Sequence, residues 1–260
     1  MNILQEIAKR TKERIEEQKK RLPVQKIKDE ARFVNTVGDF PFEKALKTKD
    51  IAFICEIKKA SPSKGIIAND FPYLNIARDY EAAGSAAISV LTEPFWFMGA
   101  DDYLREIADT ASVPLLRKDF TVDSYMIYEA KLLGASAILL ICSILDKDTL
   151  AEYIDIAHKL GLSALVETHN EEEVETALSA KSRIIGVNNR NLKTFDVDIT
   201  VSQRLRKLVP PEVIFVSESG ISQPEDIVKL REIGANAALI GESFMRTADK
   251  KAEINRLRGD

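Results

Sequence analysis

The sequence has few of the residues that bind metals or cross-link chains. Its 260 residues include only two cysteines and two histidines. Cys55 and Cys142 lie inside apolar runs, so we interpret them as buried free thiols rather than as a disulfide or a nucleophile. His158 falls in a helical pattern, and His169 lies where a strand gives way to a helix, as a loop or first-turn residue. No Cys and His cluster has metal-ligand spacing, so we predict no metal site, and a Ser-His-Asp hydrolase is poorly supported.

The sequence also lacks a long apolar run and an excess of either charge. Its apolar runs are far shorter than the roughly 20 residues that span a membrane. The first residues, MNILQEIAKRTKERIEEQKKRLP, have no apolar signal-peptide core. With 37 basic and 41 acidic residues the net charge is −4, without the basic bias typical of nucleic-acid binding. We therefore expect a cytoplasmic protein that binds neither membranes nor nucleic acid.

What is present is a repeated alternation of strand-like and helix-like segments. The strand-like runs are 51–57, 86–91, 113–118, 136–141, 163–167, 183–188, 213–218 and 237–241. They are rich in Val, Ile and Leu and mostly do not alternate with polar residues, as in a parallel sheet covered on both faces. Eight strands with intervening helices predict an α/β fold, a (β/α)8 TIM barrel. A doubly wound open sheet is the alternative, and it is less favoured because no GxGxxG follows the first strand.

Residues 1–50 precede the first strand, and we predict that they form a helical extension that caps the mouth of a 51–260 barrel domain. Ile3 to Ile15 form an amphipathic pattern among many charges. Phe33, Phe40 and Phe42 also need an apolar surface to cover. Because the barrel can close without this segment, we expect it to remain folded after deletion of roughly the first 40 residues.

Charged and polar residues interrupt the strand-like runs at their carboxyl ends. In ICEIKKASPSKG, residues 54–65, two opposite charges are two positions apart and so face the same way. The strand-end polar residues are Glu56, Lys58, Lys118, Glu167, Asn188, Glu218 and Ser219. Solvated surface charge would explain any one of them. Five strands that end this way indicate an active site, because buried charges cost several kcal/mol unless they are paired or used.

Glycine-containing loops follow the last two strands. SGIS (219–222) and IGES (240–243) occupy the positions at which this fold usually cradles a phosphate, and Gly220 and Gly241 allow close approach of backbone N–H groups. An aromatic group follows the second and third strands and suggests a flat, apolar part of a substrate. Its members are Phe95, Trp96, Phe97 and Phe120. Arg190 could hold an anion or stack on a ring.

These segments carry a family resemblance. EIKKASPSKG, LTEPFWFMG, LLRKDF, LVETHN, GVNNRNL, SESGIS and LIGESFM resemble, in this order, segments of the indole-3-glycerol-phosphate synthase family. The resemblance covers nearly the whole chain, and it places the extension over the mouth near Ser61. It implies a carbon-carbon lyase (carboxy-lyase) of tryptophan biosynthesis that converts 1-(2-carboxyphenylamino)-1-deoxyribulose 5-phosphate to indole-3-glycerol phosphate, carbon dioxide and water. It implies no metal or organic cofactor, a small-molecule phosphosugar-anthranilate substrate and no obligatory protein partner.

The resemblance also implies roles for individual residues. The implied catalytic residues are Lys118, Glu167, Lys58, Glu56, Asn188 and Glu218. The implied substrate contacts are Ser61, Pro62, Phe97, Phe120, Leu139, Ile141, Arg190 and Ser219. The implied phosphate-binding residues are Lys58, Ser61, Gly220, Gly241 and Glu242. Lys118 is the implied general acid for ring closure, Lys58 pairs with substrate anions and is a candidate for the later dehydration, and Glu167 accepts or relays a proton. Which lysine and which glutamate serves each proton transfer stays open.

Three other interpretations of the same barrel remain open. A sugar-phosphate isomerase such as phosphoribosylanthranilate isomerase would need an acid–base pair but not two lysines with three glutamates. A Schiff-base aldolase would use Lys118 as a nucleophile. A non-catalytic phosphosugar-binding barrel would keep the glycine loops but would need no lysine.

Overall fold

The computed structural model describes residues 3–34, 39–191 and 194–259 and contains a closed barrel of eight parallel strands. The strands are β1 (Ala52–Ile57), β2 (Ala87–Leu91), β3 (Leu115–Lys118), β4 (Ala137–Ile141), β5 (Ser163–Thr168), β6 (Ile184–Asn188), β7 (Ile214–Glu218) and β8 (Ala237–Ile240). Each strand pairs with its neighbours in sequence, and β1 pairs with β8 to close the ring. The predicted (β/α)8 barrel is confirmed, and most strand ends lie within a residue of their predicted positions.

Helices surround the barrel and extend it at both ends of the chain. They are α1 (Ile3–Arg21), α2 (Val24–Phe33), α3 (Pro41–Leu46), α4 (Tyr73–Ala82), α5 (Asp101–Ala108), α6 (Tyr125–Leu132), α7 (Lys147–Lys159), α8 (Glu171–Ser179), α9 (Thr200–Arg206), α10 (Pro224–Glu232), α11 (Glu242–Arg246) and α12 (Lys250–Arg258). A hairpin of Ala60–Ser61 with Gly65–Ile66 and a 3-10 turn at Cys142–Ile144 were not predicted. No described helix is long and apolar enough to cross a membrane.

The alternation of side chains along each strand separates the core into two parts. Along β1, Ile54 points into the barrel, where it belongs to an interior apolar cluster. Its neighbours Phe53 and Cys55 belong to the larger cluster between the strands and the surrounding helices. Both faces are therefore apolar, which explains why the strand-like runs do not alternate. Burial raises the pKa of the free thiol of Cys142 to about 12, as expected for an inert cysteine.

The N-terminal extension covers both ends of the barrel. Helix α1 lies at the mouth formed by the carboxyl ends of the strands, where Ile3, Leu4 and Ile7 face the cavity. Helix α3 lies at the opposite end, where Phe42 is fully buried in the interior apolar cluster. Phe42 therefore covers the closed end rather than the mouth.

The other two phenylalanines of the extension have different surroundings. Phe40 packs under the guanidinium of Arg183, 3.8 Å from the ring centre, at the start of β6. The expectation that Phe33 packs on an apolar surface is wrong, because its side chain is 89% exposed at the end of α2.

Candidate active site

One cavity of about 830 Å³ opens at the carboxyl ends of the strands. Every predicted catalytic, substrate-binding and phosphate-binding residue lines it. They are Glu56, Lys58, Ser61, Pro62, Phe97, Lys118, Phe120, Leu139, Ile141, Glu167, Asn188, Arg190, Glu218, Ser219, Gly220, Gly241 and Glu242. The barrel geometry brings them together because inward-facing positions at the ends of different strands lie at similar heights.

Lys118 lies at the centre of the charged group in this cavity. Its Nζ atom is 2.8 Å from Glu218 Oε2 and 3.6 Å from Glu167 Oε2. Burial alone would lower the pKa of this lysine, but the carboxylates of Glu218, Glu167 and Glu56 together raise it above its ordinary value. The side chain of Lys118 is therefore an ammonium at neutral pH, which is the protonated form that a general acid must have before reaction.

Glu218 occupies space that Gly186 leaves open on the neighbouring strand. A β-carbon at Gly186 would lie 2.2 Å from Glu218 Oε1, so any side chain there would displace the carboxylate. Burial raises the pKa of Glu218 and the carboxylate of Glu167 adds to the increase, against the effect of Lys118. Glu218 is thus the carboxylate of the group that takes up a proton most readily.

Glu56 and Lys58, at the end of β1, form an ion pair in the cavity wall. Burial would raise the pKa of Glu56, but Lys58 and Lys118 lower it below its ordinary value. A β-carbon at Gly241 would lie 2.6 Å from Glu56 Oε1 and 3.1 Å from Lys58 Nζ. The two charges on one face of β1 therefore pair with each other, and the glycine of β8's loop makes room for the pair.

Glu167 is held by one residue of the cavity lining, Asn188, and by one that lies outside it, His169. Its Oε1 atom accepts a hydrogen bond from Asn188 Nδ2 at 3.3 Å and lies 3.3 Å from His169 Nε2. The other ring nitrogen, Nδ1, lies 3.0 Å from Glu173 Oε2. Burial opposes ionisation of Glu167, but Lys118 and His169 lower its pKa to about 2. Burial likewise opposes charge on His169, but Glu167 and Glu173 raise its pKa to about 10.

The sequence interpretation of His169 as a loop residue missed this contact. His169 does follow β5 directly, in the loop before α8. The sequence did contain a sign of this contact. His169 is two positions after Glu167, as Lys58 is two positions after Glu56, and residues two apart along a strand face the same way.

Apolar residues line the side of the cavity beside the charges. The rings of Phe97 and Phe120 lie 6.2 Å apart, centre to centre. Leu139 and Ile141 of β4 also line the cavity. Ile3, Leu4 and Ile7 of α1 line it as well, as expected for an extension that covers the mouth, and so do Leu91, Leu239 and Phe195, which the sequence did not single out. The structure thus provides an apolar surface with two tilted aromatic rings near Lys118.

Phe95 and Trp96, which were predicted to flank the site, do not line the cavity. The ring of Phe95 is about half exposed and lies under the guanidinium of Arg10, 4.8 Å away. The loop nevertheless serves the site, because the fully buried carboxylate of Glu93 accepts hydrogen bonds from the backbone N–H groups of Phe95, Trp96 and Phe97 at 2.9, 2.7 and 2.9 Å. These bonds fix the turn that presents Phe97.

The loops after β7 and β8 form the far end of the cavity. Ser219 and Gly220 have φ values of +66° and +78°, so their backbone turns sharply there. Cationic side chains that the sequence did not single out add positive charge at this end: Lys64, Arg246 and Arg256. The Glu242 carboxylate lies 3.4 Å from Lys64 Nζ and 3.4 Å from Arg246 Nε, so its charge is already engaged. This end suits an anion, with backbone and cationic donors.

Among the described residues, no group of three or more His, Cys, Asp or Glu side chains could hold a metal ion. The carboxylates of Glu56, Glu167 and Glu218 are instead paired with lysines, an asparagine and a histidine.

Comparisons with known proteins give a consistent result. A family model described as Indole-3-glycerol phosphate synthase matches residues 4–257. The Indole-3-glycerol phosphate synthase of Ruminiclostridium cellulolyticum is 60% identical over 257 residues, which cover 99% of each chain. That of Lachnoclostridium phytofermentans is 51% identical over 267 residues, which cover 98% of each chain. Among solved structures, a mutant tryptophan synthase alpha-subunit from Pyrococcus furiosus has a TM-score of 0.62 at 18% identity, covering 82% of this chain and 99% of that chain, which supports the fold alone.

Proposed function

The chain belongs to the indole-3-glycerol phosphate synthase family, and from this premise we propose how its own residues carry out the reaction. The protein is a carboxy-lyase of tryptophan biosynthesis. It closes the indole ring of 1-(2-carboxyphenylamino)-1-deoxyribulose 5-phosphate with loss of carbon dioxide and water. One observation supports the assignment of roles, namely the position of Lys118. Its ammonium is buried between two carboxylates, and it lies between the apolar wall and the end of the cavity that suits an anion.

The two ends of the cavity set the orientation of the substrate. The phosphate binds at the loops after β7 and β8, near Gly220, Gly241 and Ser61. The anthranilate ring packs against Phe97 and Phe120. The ketone between them then lies beside the charged group, and the anthranilate carboxylate is within the field of Lys58.

Ring closure begins with attack of the ring carbon that bears the carboxylate on the ketone carbon. As this bond forms, Lys118 donates its proton to the ketone oxygen, which becomes a hydroxyl. Positive charge develops on the ring nitrogen, and the buried carboxylate of Glu56 stabilises it electrostatically. Lys118 regains a proton through Glu218 or Glu167, both of which face its Nζ atom.

Decarboxylation and dehydration complete the reaction. The bond to the carboxylate breaks, its electron pair returns to the ring, and carbon dioxide leaves. The new hydroxyl then departs as water after taking up a proton, for which Lys58 is the candidate donor. Loss of a proton from the methylene carbon next to nitrogen gives the aromatic indole, and Glu167 is the candidate acceptor. One proton is consumed overall, because the carboxylate leaves as neutral carbon dioxide.

The direct test is to mix the purified protein with the carboxyphenylamino substrate and follow indole fluorescence. We expect indole-3-glycerol phosphate and one carbon dioxide per ring closed, with activity unchanged after exhaustive chelation. Borohydride added during turnover should leave the mass of the protein unchanged, since no Schiff base forms. A reduced adduct on the peptide that contains Lys118 would instead support the aldolase alternative. Activity that returns only on addition of a divalent ion would contradict the metal-free mechanism.

The remaining proposals concern partners and location. The phosphosugar-anthranilate substrate is the proposed partner of the cavity, with its phosphate and its ring at the two ends. A cytoplasmic location is supported by the biosynthetic role of the family.

A further inference from the structure

His169 contacts the charged group from behind. Its ring does not line the cavity, yet Nε2 is buried and lies 3.3 Å from Glu167 Oε1, which is an ion-pair distance without hydrogen-bond geometry, and Nε2 has no hydrogen bond to any described residue. Nδ1 faces Glu173 Oε2 at 3.0 Å. Because carboxylates lie within 3.3 Å of both ring nitrogens, they favour the doubly protonated, positively charged form of the ring. His169 is therefore an imidazolium bridge from α8 to the catalytic group.

The bridge is fixed at its outer end. The same Glu173 oxygen accepts the backbone N–H of His169 at 2.8 Å, and Glu173 Oε1 accepts from Asn170 Nδ2 at 3.2 Å. Asn170 in turn caps α8 by accepting the N–H of Glu173 at 3.0 Å. The side chain of Glu173 is therefore fixed within the first turn of α8, and it holds the imidazole ring of His169 in one orientation.

The inner end determines which oxygen of Glu167 is available. Oε1 faces the ring of His169, which directly follows β5, and accepts a hydrogen bond from Asn188 of β6. Only Oε2 then faces Lys118, at 3.6 Å. Without the imidazolium, Glu167 would keep one weak donor and could rotate about its last torsion, which has a broad energy profile.

We propose that His169, held by Glu173, is a positioning residue that fixes the Glu167 carboxylate for proton transfer without touching the substrate. This inference rests on the proposed role of Glu167. A misplaced catalytic group about 1 Å from its working position can cost on the order of 100-fold in rate. The role therefore predicts a loss in kcat with little change in KM, since substrate contacts stay intact.

The test compares His169→Ala, His169→Gln and His169→Asn with the wild type by kcat, KM and thermal melting. The amide nitrogen of Gln can reach the position of Nε2 and donate to Glu167. That of Asn reaches only the position of Nδ1, on the side of Glu173. We expect kcat to fall about 10- to 100-fold in the Ala and Asn variants, with KM within about threefold, and Gln to recover most of the loss. His158→Gln, on α7 and outside the cavity lining, is the matched control and should keep wild-type kcat.

Glu167→Gln and the double variant Glu167→Gln/His169→Ala separate this inference from the proposed function. If His169 acts only through Glu167, the double variant should turn over no more slowly than Glu167→Gln alone. A near-wild-type kcat for Glu167→Gln would overturn the role of Glu167 and this inference with it. An inactive Glu167→Gln beside a His169→Ala variant within twofold of wild type would overturn this inference alone. Equal losses of kcat in the Gln and Asn variants would also overturn it. Melting temperatures close to that of His158→Gln serve as the check that both variants are folded.

Discussion

At the scale of single residues, the site depends as much on missing side chains as on charged ones. Glu218 reaches Lys118 because Gly186 has no β-carbon, and the pair of Glu56 and Lys58 fits because Gly241 has none. Both glycines lie where a strand or its loop faces the charged group. Their role is to leave volume for the carboxylates, a requirement separate from the backbone freedom that glycine provides in turns.

Gly186→Ala should therefore inactivate the enzyme. The new methyl group would lie 2.2 Å from Glu218 Oε1, so the carboxylate must move away from Lys118. We expect kcat to fall on the order of 100-fold and stability to fall by about 1–3 kcal/mol from overpacking. Gly234→Ala is the control, because no atom lies within 4 Å of its β-carbon although its φ is +71°. It should lose some stability from backbone strain and keep its kcat, whereas full activity of Gly186→Ala would contradict the account.

The two histidines should titrate at opposite ends of the pH range. Burial and Arg183 lower the pKa of His158 to about 4, whereas Glu167 and Glu173 overcome burial and raise that of His169 to about 10. Nitrogen-15 NMR of the imidazoles at pH 7 should show one neutral ring and one imidazolium, with His158→Gln removing the neutral signal. A neutral His169 at pH 7 would contradict the imidazolium bridge.

The same values set the pH dependence of stability. His169 has a folded pKa above its ordinary 6.5, so its contribution is complete below about pH 6.5 and is lost as pH rises toward 10. His158 has a folded pKa below 6.5, so its contribution is complete above about pH 6.5 and is lost as pH falls toward 4. Urea unfolding of His158→Gln and His169→Gln across this range should show the two opposite slopes relative to wild type.

At the scale of elements, α1 is both part of the cavity wall and anchored beside it. Arg14 donates to Asp119 Oδ2 at 2.8 Å, and Lys19 donates to Asp123 Oδ2 at 2.7 Å, which tie the helix to the segment that follows Lys118. Asp119 is fully buried, and Arg14 and Arg117 keep its pKa below the ordinary value despite burial. The first turns of α1 therefore cover the cavity while its later turns hold it in place.

Two truncations should distinguish the first turns of α1, which cover the cavity, from the later turns, which anchor the helix. Deletion of residues 1–8 removes Ile3, Leu4 and Ile7 from the cavity but keeps both anchors. We expect a folded protein with weaker binding of the full substrate and unchanged binding of a plain phosphosugar, measured by calorimetry. Unchanged affinity for the full substrate would show that α1 plays no part in binding the aromatic half.

The longer truncation should cost stability. Deletion of the first 40 residues also removes Ile15 and Ile27, which are buried against Val122, Tyr125 and Met126. Each such side chain contributes about 1.5–3 kcal/mol by burial. We therefore revise the sequence-based expectation: the barrel without these residues should melt at a clearly lower temperature than the barrel that lacks only residues 1–8. Equal melting temperatures would contradict this packing role.

At the scale of the whole molecule, one end of the barrel serves activity and the other serves stability. The carboxyl ends of the strands carry the charged cavity, and the opposite end is closed by α3 with Phe42 and Leu46 buried in the interior cluster. Glu43 of the same helix pairs with Arg183 at 2.7 Å. Changes at the closed end should therefore affect stability, and changes at the mouth should affect activity.

Phe42→Ala tests this division. Loss of a fully buried phenylalanine should cost about 3–5 kcal/mol, and each kcal/mol lowers the melting temperature by about 2–4 °C in a protein of this size. The values of kcat and KM below the melting transition should match wild type. A drop in kcat in the folded protein would show that the two ends are coupled.

The sequence predicted the barrel and the strand-end charges because both follow from local periodicity. Glu56 and Lys58 could be placed on one face by their spacing of two, and the carboxyl ends of parallel strands must meet. Contacts between distant segments could not be predicted in this way. The position of α3 at the closed end, the turn held by Glu93 and the cations Arg246 and Arg256 depend on packing of whole elements, which local patterns do not encode.

The most direct test of the central claim is the turnover of Lys118→Ala beside that of Lys118→Arg. The substitution to alanine removes the proton donor, and the substitution to arginine keeps the positive charge between Glu218 and Glu167. The measurement is single-turnover indole formation at saturating substrate, with binding of the ketone-reduced analogue measured separately. We predict that both variants bind the analogue and that Lys118→Ala loses at least about 100-fold in rate, with Lys118→Arg little better because guanidinium does not release its proton. A Lys118→Ala enzyme that closes the ring at close to the wild-type rate would contradict the claim that this lysine is the acid.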